Sequence, residues 1–290
     1  MTLGGRAAAV RELRSADAVA RRRALSSLAR NVDAQAPPFS VIRACVSRLG
    51  DRDREVRRFA IETLSGWLEY GETEGRREVA RRLEAALGRR DPRVAWSAAF
   101  VLARARGPRT EFVRPLLRAF TLEDADDRWT AAQVLVRIAH AHAPTAERLC
   151  ALARRGSPME RRMALYCLRD ISKRAANSLD PFLRALRDAD PFVRSAAASI
   201  LGRMERRQRP VVDGLLAMLN SDPSLLVRRV AAVSLGQIGT TRCDVRACLE
   251  SALEADDLDL RKAARHALAH LCPGRRLLRH ATQRRWRNPT

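Results

Sequence analysis

The sequence predicts an all-α protein, a right-handed α-solenoid of about eight two-helix repeats, and three observations carry that prediction. A twelve-residue pattern recurs along the chain at near-constant spacing. Each copy places its apolar residues on one helical face. The composition, rich in Ala, Leu and Arg and with only 4% aromatics, favours helix over a large sheet.

The pattern is Asp-x-x-Val-Arg-x-x-Ala-x-x-x-Leu, cleanest at Asp190, Val193, Arg194, Ala197 and Leu201. It recurs at Asp53, Val56, Arg57, Ala60, Leu64, and at Asp91, Val94, Ala98, Leu102. Weaker copies hold Arg128, Ala131, Leu135; Arg161, Ala164, Leu168; Arg228, Ala231, Leu235; and Arg261, Ala264, Leu268. The first copy is Asp17, Ala20, Arg21, Ala24, Leu28. The repeat alanines Ala24, Ala60, Ala98, Ala131, Ala164, Ala197, Ala231 and Ala264 are 33 to 38 residues apart. A period of this size is the signature of a repeat array. The two longest spacings coincide with loop-like stretches at 33–38 and 70–75.

Each unit divides into two helices. The Asp, sometimes followed by Pro, caps the second helix by accepting from free backbone N–H groups. Val, Ala and Leu at offsets 0, 4 and 8 then lie on one face. Ahead of each Asp is another amphipathic segment, such as Val211–Leu219. One such hairpin cannot bury its apolar face alone, whereas eight stacked hairpins share a continuous core. The expected solenoid covers residues 1–271, and 272–290 form a basic tail after Pro273-Gly274, with Arg275, Arg276, Arg279, Arg284, Arg285, Trp286 and Arg287.

These residues resemble the HEAT-repeat family, in particular the short Asp-x-x-Val-Arg variety named after phycobilin-lyase-type repeats, over roughly residues 3 to 271. The resemblance implies that the first helix of each pair lines a convex side and the second a concave side. It implies a scaffold for partners without specifying one.

The formal net charge is +22, from 55 basic and 33 acidic residues, and only Lys173 and Lys262 among the basic residues are lysines. A field this positive attracts nucleic acid, an anionic surface or an acidic protein. The chain start lacks an apolar stretch long enough for a secretory signal, and nothing approaches the roughly 18 apolar residues of a membrane span. Cys45, Cys150, Cys167, Cys243, Cys248 and Cys272 are scattered and read as small buried hydrophobes in a reducing compartment. A cytoplasmic protein is the expectation.

With the Val position as offset 0, the face opposite the core holds offsets 2, 6 and 10. Nine of its 24 residues are basic, two acidic and four aromatic. The expected binding residues on it are Arg22, Arg58, Trp96, Phe100, Arg104, Trp129, Arg137, Arg162, Tyr166, Arg203, Arg229 and Lys262. At about 10 Å per repeat they would line a trough on the order of 70–80 Å long. A basic trough with stacking aromatics suits a sugar-phosphate backbone. A solvated face of a basic protein, with Trp96 or Phe100 packed between repeats, is the alternative. The offset-1 column, Arg21, Arg57, Arg128, Arg161, Arg194, Arg228 and Arg261, points instead toward the neighbouring repeat and predicts an inter-repeat Asp–Arg ladder.

The sequence contains no Gly-x-x-x-x-Gly-Lys phosphate loop, Gly-x-Ser-x-Gly elbow or His-Glu-x-x-His zinc helix. His266 and His270 share a face near Cys272, but Cys243 and Cys248 lack zinc spacing. Tyr166 and Asp170, near Trp129, Arg137 and Arg203, resemble the aromatic, Asp and Arg concave face of the alkylbase DNA glycosylases built from HEAT-like repeats. The paired-Trp segment of those enzymes is absent here, and these repeats are more regular. The function expected is therefore non-enzymatic: a scaffold for nucleic acid or an acidic protein partner, without cofactor, metal or small-molecule substrate. The alternative is an adaptor gripping an acidic or amphipathic partner segment.

Overall fold

In a computed structural model of the chain, the described residues are 3–30, 37–71, 73–172, 179–204 and 208–271. The expected basic tail, with Cys272, lies outside them. The described residues are helical and turn segments without a strand, and they form an all-α solenoid. The chain divides into two compact units, Met1–Ala176 and Asn177–Thr290.

Unit 1 stacks five helix pairs. They are α1 (Leu3–Leu13) with α2 (Ala18–Ala29), α3 (Phe39–Arg48) with α4 (Arg54–Tyr70), and α5 (Thr73–Leu87) with α6 (Pro92–Arg106). Then come α7 (Val113–Arg118), flanked by two short 3-10 turns, with α8 (Ala125–Ala141), and α9 (Ala143–Arg155) with α10 (Pro158–Ser172). Unit 2 stacks three: α11 (Asp180–Ala185) with α12 (Pro191–Arg203), α13 (Arg209–Ser221) with α14 (Leu225–Ile238), and α15 (Cys243–Ser251) with α16 (Leu258–Leu271). The repeat alanines sit on second helices and are buried, as are the offset-8 leucines.

The caps follow the pattern. Asp17, Asp53, Asp91, Asp124 and Asp190 each accept from backbone N–H groups in the first turn of the helix they precede, and Asp257 accepts from Leu260 N at 2.6 Å. Where the fifth copy lacks an aspartate, Ser157 and Glu160 form a reciprocal capping box: Glu160 Oε2 accepts from Ser157 N at 2.8 Å while Ser157 Oγ accepts from Glu160 N at 3.4 Å.

All seven offset-1 arginines reach back to carbonyls five or six residues earlier, in the turn of their own hairpin. Arg21 donates to Ser15 O and Ala16 O, Arg57 to Asp51 O and Arg52 O, and Arg194 to Asp188 O and Ala189 O. Arg128, Arg161, Arg228 and Arg261 do likewise. A planar fork of donors lets one side chain serve two carbonyls and still face a carboxylate. Inter-repeat rungs are added where the next turn supplies an aspartate: Arg21 with Asp51 at 2.9 Å and Arg194 with both oxygens of Asp222 at 2.8 Å. In these two rungs the acceptor is not the capping residue the pattern suggests. It is the aspartate two positions ahead of the cap, whose carboxylate also accepts from the cap's backbone N–H, as Asp51 does from Asp53 N and Asp222 from Ser224 N.

One rung skips a repeat. Arg57 of α4 donates to Asp124 and Asp127 at the start of α8, both at 2.8 Å, and Arg54 pairs with Asp126 beside it. The intervening α6 has Ala95 where its neighbours carry arginine, and both Ala95 and Trp96 are buried.

Several of these carboxyls titrate below their ordinary range. Burial works against ionised Asp222, but the Arg194 fork and the Ser224 N–H outweigh it and hold the pKa down. The Arg229 guanidinium holds Asp257 down, and hydrogen bonds from Arg81 and Arg82 bring Glu78 to about 2. A lowered folded-state pKa gives stability that is present above the unfolded value and is lost as pH falls through the folded one. The thermal midpoint is therefore expected to be level from pH 7 to about 5 and to fall between about pH 4 and 2. A midpoint unchanged down to pH 2 would show that the ladder contributes nothing to folding.

Candidate binding face of the second helices

In unit 1 the expected stripe separates into a buried part, a self-neutralised part and an open part. Trp96 is buried, with 2% of its surface exposed. Its ring packs on half-buried Phe100 with centroids 6.0 Å apart, and its indole N–H has no hydrogen-bond partner. Trp96 was expected on the open face and is instead part of the packing between repeats. Arg58 is exposed, but Glu55 at 2.8 Å and Glu62 at 3.9 Å take its charge. Arg22 is half-buried and donates to Ala18 O, and Arg162 is half-buried with Nη2 3.2 Å from Met159 Sδ.

The open part centres on Trp129 of α8 and Tyr166 of α10. Their positions one repeat apart, at offsets 2 and 6, bring the ring centroids to 5.0 Å with the planes tilted by 43°. Trp129 keeps 39% of its surface exposed, and Tyr166 is half-buried. Arg169 stacks its guanidinium over Tyr166, 5.4 Å from the centroid, while its other contacts form a two-point bridge to Asp170 at 2.8 and 3.0 Å. The hydrogen bonds to Asp170 raise the Arg169 pKa. Arg104 and Arg137 are exposed and have no ion pair among the described residues. The arrangement offers an aromatic contact of two tilted rings, one of them stacked against Arg169.

In unit 2, Arg203 is exposed, but Arg229 and Lys262 are occupied. Arg229 bridges Asp257 at both oxygens and lies 3.4 Å from Asp259, and Lys262 lies 3.5 Å from Asp259. The aspartates that neutralise them sit at the start of α16, Asp257 just ahead of it and Asp259 in its first turn, outside the stripe.

Two features of the site escaped the periodicity. Arg169 occupies offset 9, a core-side position, so its stacking on Tyr166 has no signal in the stripe. Asp170, the carboxylate of the glycosylase resemblance, is engaged by Arg169 and so is not a lone anion facing a substrate. His266 and His270 stack at 4.5 Å, and no group of three metal-ligating side chains occurs among the described residues. Cys45 and Cys167 are buried, and burial pushes both thiols up. Cys243, the first residue of α15, is exposed, contrary to the expectation of burial.

Residues 145–236 match the family model for HEAT repeats. Among solved structures, the chain is similar to importin beta in an ammonium sulfate condition, with a TM-score of 0.55 and 16% identity over 92% of this chain and 40% of that one. It is similar also to Kap121p bound to Nup53p, with a TM-score of 0.53 and 14% identity over 92% of this chain and 37% of that one. At such identities the likeness is one of fold, and the chain spans well under half the length of either protein. No helix among the described residues is long and apolar enough to cross a membrane.

Proposed function

We propose that the chain is a protein-binding scaffold that grips an acidic segment of a partner on the second-helix face of unit 1. The exposed Trp129–Tyr166 pair carries this reading. An aromatic pair locked by its neighbours loses little freedom on binding and suits a hot spot, and the unpaired Arg104 and Arg137 set orientation and on-rate. Structures of the same fold that hold a protein, such as Kap121p with Nup53p, support a partner of that class. A nucleic-acid groove gains less support, because burial of Trp96 and pairing of Arg58, Arg229 and Lys262 remove a third of the expected contacts.

The test is fluorescence anisotropy with an acidic synthetic peptide of glutamate and phenylalanine, alongside labelled single- and double-stranded oligonucleotides. The Trp129→Ala/Tyr166→Ala variant is expected to weaken peptide binding by about 30-fold or more, the loss typical of a hot spot. Oligonucleotide binding that this variant abolishes, with a log–log salt slope near −0.9 per phosphate, would replace the protein reading by nucleic acid.

A further inference from the structure

Unit 2 carries an exposed apolar row that the stacking of its repeats does not require. Phe192 is the second residue of α12, Leu225 and Leu226 open α14, and Leu258 opens α16. Their exposures are 55%, 45%, 39% and 55%. Three successive repeats thus present large hydrophobics in the same first turn. In unit 1 the corresponding pairs in α4, α6 and α8 are Arg54-Glu55, Pro92-Arg93 and Ala125-Asp126, and the exposed Val19 of α2 and the Met159 of α10 stand apart from each other, with no run over successive repeats. A helix start favours acidic and small polar residues, so Phe and Leu there serve neither capping nor the dipole. Single exposed hydrophobics need no explanation, but an aligned group marks an interaction site.

The surroundings define what fits. Two arginines in the same helices are satisfied within the unit, Arg194 by Asp222 and Arg229 by Asp257. Beside the row lies a groove of about 830 Å³ between α11 and α13, with Leu183, Leu186, Ala217 and Met218 among its lining. Arg194 and Pro223, also in that lining, are each two residues from Phe192 and Leu225 respectively. Arg187 at the groove is exposed and has no ion pair among the described residues. A second copy of the chain brings another +22 against this surface, which opposes self-association. The complementary occupant is apolar on one side and negatively charged on the other.

We propose that the row Phe192, Leu225, Leu226 and Leu258, with the groove beside it, docks an amphipathic helix of an acidic partner protein. Three repeats at roughly 10 Å each match a helix of about 14 to 18 residues, whose apolar side chains recur at i, i+3, i+4 and i+7. A carboxylate flanking that apolar face pairs with Arg187. This surface is distinct from the aromatic face of unit 1, so the chain would hold two segments at once.

The probe is a synthetic peptide of about 18 residues with leucine at helical spacing on one face and glutamate elsewhere, beside a scrambled peptide of the same composition. The full-length chain is compared with Phe192→Gln/Leu226→Gln/Leu258→Gln and with Val19→Gln, which removes an exposed apolar residue from the first turn of α2, each checked by thermal unfolding. The patterned peptide is expected to bind at least about tenfold more tightly than the scrambled one and to lose about tenfold in the first variant, while the second stays within about twofold. Equal binding of both peptides, or binding undiminished in the first variant, would overturn the proposal. So would self-association in sedimentation velocity that the Phe192 variant abolishes, since the occupant is then a second copy. Failure here leaves the Trp129 result standing, and failure there leaves this one.

Discussion

Replacing Arg57 with methionine is expected to cost about 3–5 kcal/mol of stability at pH 7, the range for breaking a buried ion pair from one side. The side chain is 5% exposed and satisfies four acceptors: Asp51 O at 3.0 Å, Arg52 O at 3.2 Å, and one oxygen each of Asp124 and Asp127. Methionine keeps much of the volume and removes all the donors, so two neighbouring carboxylates lose their counter-charge. Burial already pushes the Asp127 carboxyl up, with Arg57 opposing. Asp124 is held low overall, because N–H groups of Asp127 and Asp126 outweigh its burial. Without Arg57 the raised member rises further, and a raised carboxyl costs stability above its pKa and ceases to do so once protonated. The deficit should therefore be largest at neutral pH and narrow as pH falls toward about 4. Urea unfolding at the two pH values measures it. A variant as stable as the parent at pH 7 would show that the bridge recovers only its own desolvation.

Gly236→Val is expected to cost about 1–3 kcal/mol, by overpacking. A Cβ at this position stands 2.7 Å from Ala267 Cα and 2.8 Å from its Cβ, so the obstacle is the backbone of α16 and cannot rotate away. Gly202 meets Ser234 of α14 in the same way, at 2.7 Å to its Cβ and 2.8 Å to its Cα. Both glycines occupy offset 9, and both neighbours occupy offset 7 of the next repeat. Gly236→Ala sharpens the test, since alanine raises helix propensity by about 1 kcal/mol. A lower melting temperature for both variants, greater for valine, places the close approach in the energetics. An alanine variant that melts higher would mean that α14 and α16 separate at little cost.

The repeat was legible because its signals are local. The Asp cap, the first-turn Pro and the 0, 4, 8 periodicity act within a single helix, so second-helix starts emerged close to their positions at Asp53, Asp91 and Asp190. The ladder was legible as chemistry but not in its partner. Arg21 and Arg194 select an aspartate in the next turn, and that choice depends on the fold of a loop. The site was half legible. Offsets 2 and 6 put Trp129 and Tyr166 opposite the core, where Trp129 is 39% exposed and Tyr166 half-buried, yet Trp96 at the same offset is buried. Its burial depends on how neighbouring repeats pack, and no window of one repeat contains that information. The unit 2 row was overlooked for a related reason. A lone Phe192 in a first turn is ordinary, and only its alignment with Leu225, Leu226 and Leu258 gives it meaning.

Repeat proteins behave nearly as one-dimensional chains, in which each link feels only the links on either side and unfolding can stop at any junction. The Arg57 bridge breaks that rule within unit 1, because it ties the second repeat to the fourth. Opening the third repeat alone then means stretching a bond that neither of its junctions contains. The second, third and fourth repeats gain a shared threshold, and fraying from the chain's beginning meets a block of three where it would otherwise meet single steps. Excising the third repeat would change the distance that this bridge spans, so this stretch differs from a uniform array, in which any one repeat can be removed without touching a bond between its neighbours.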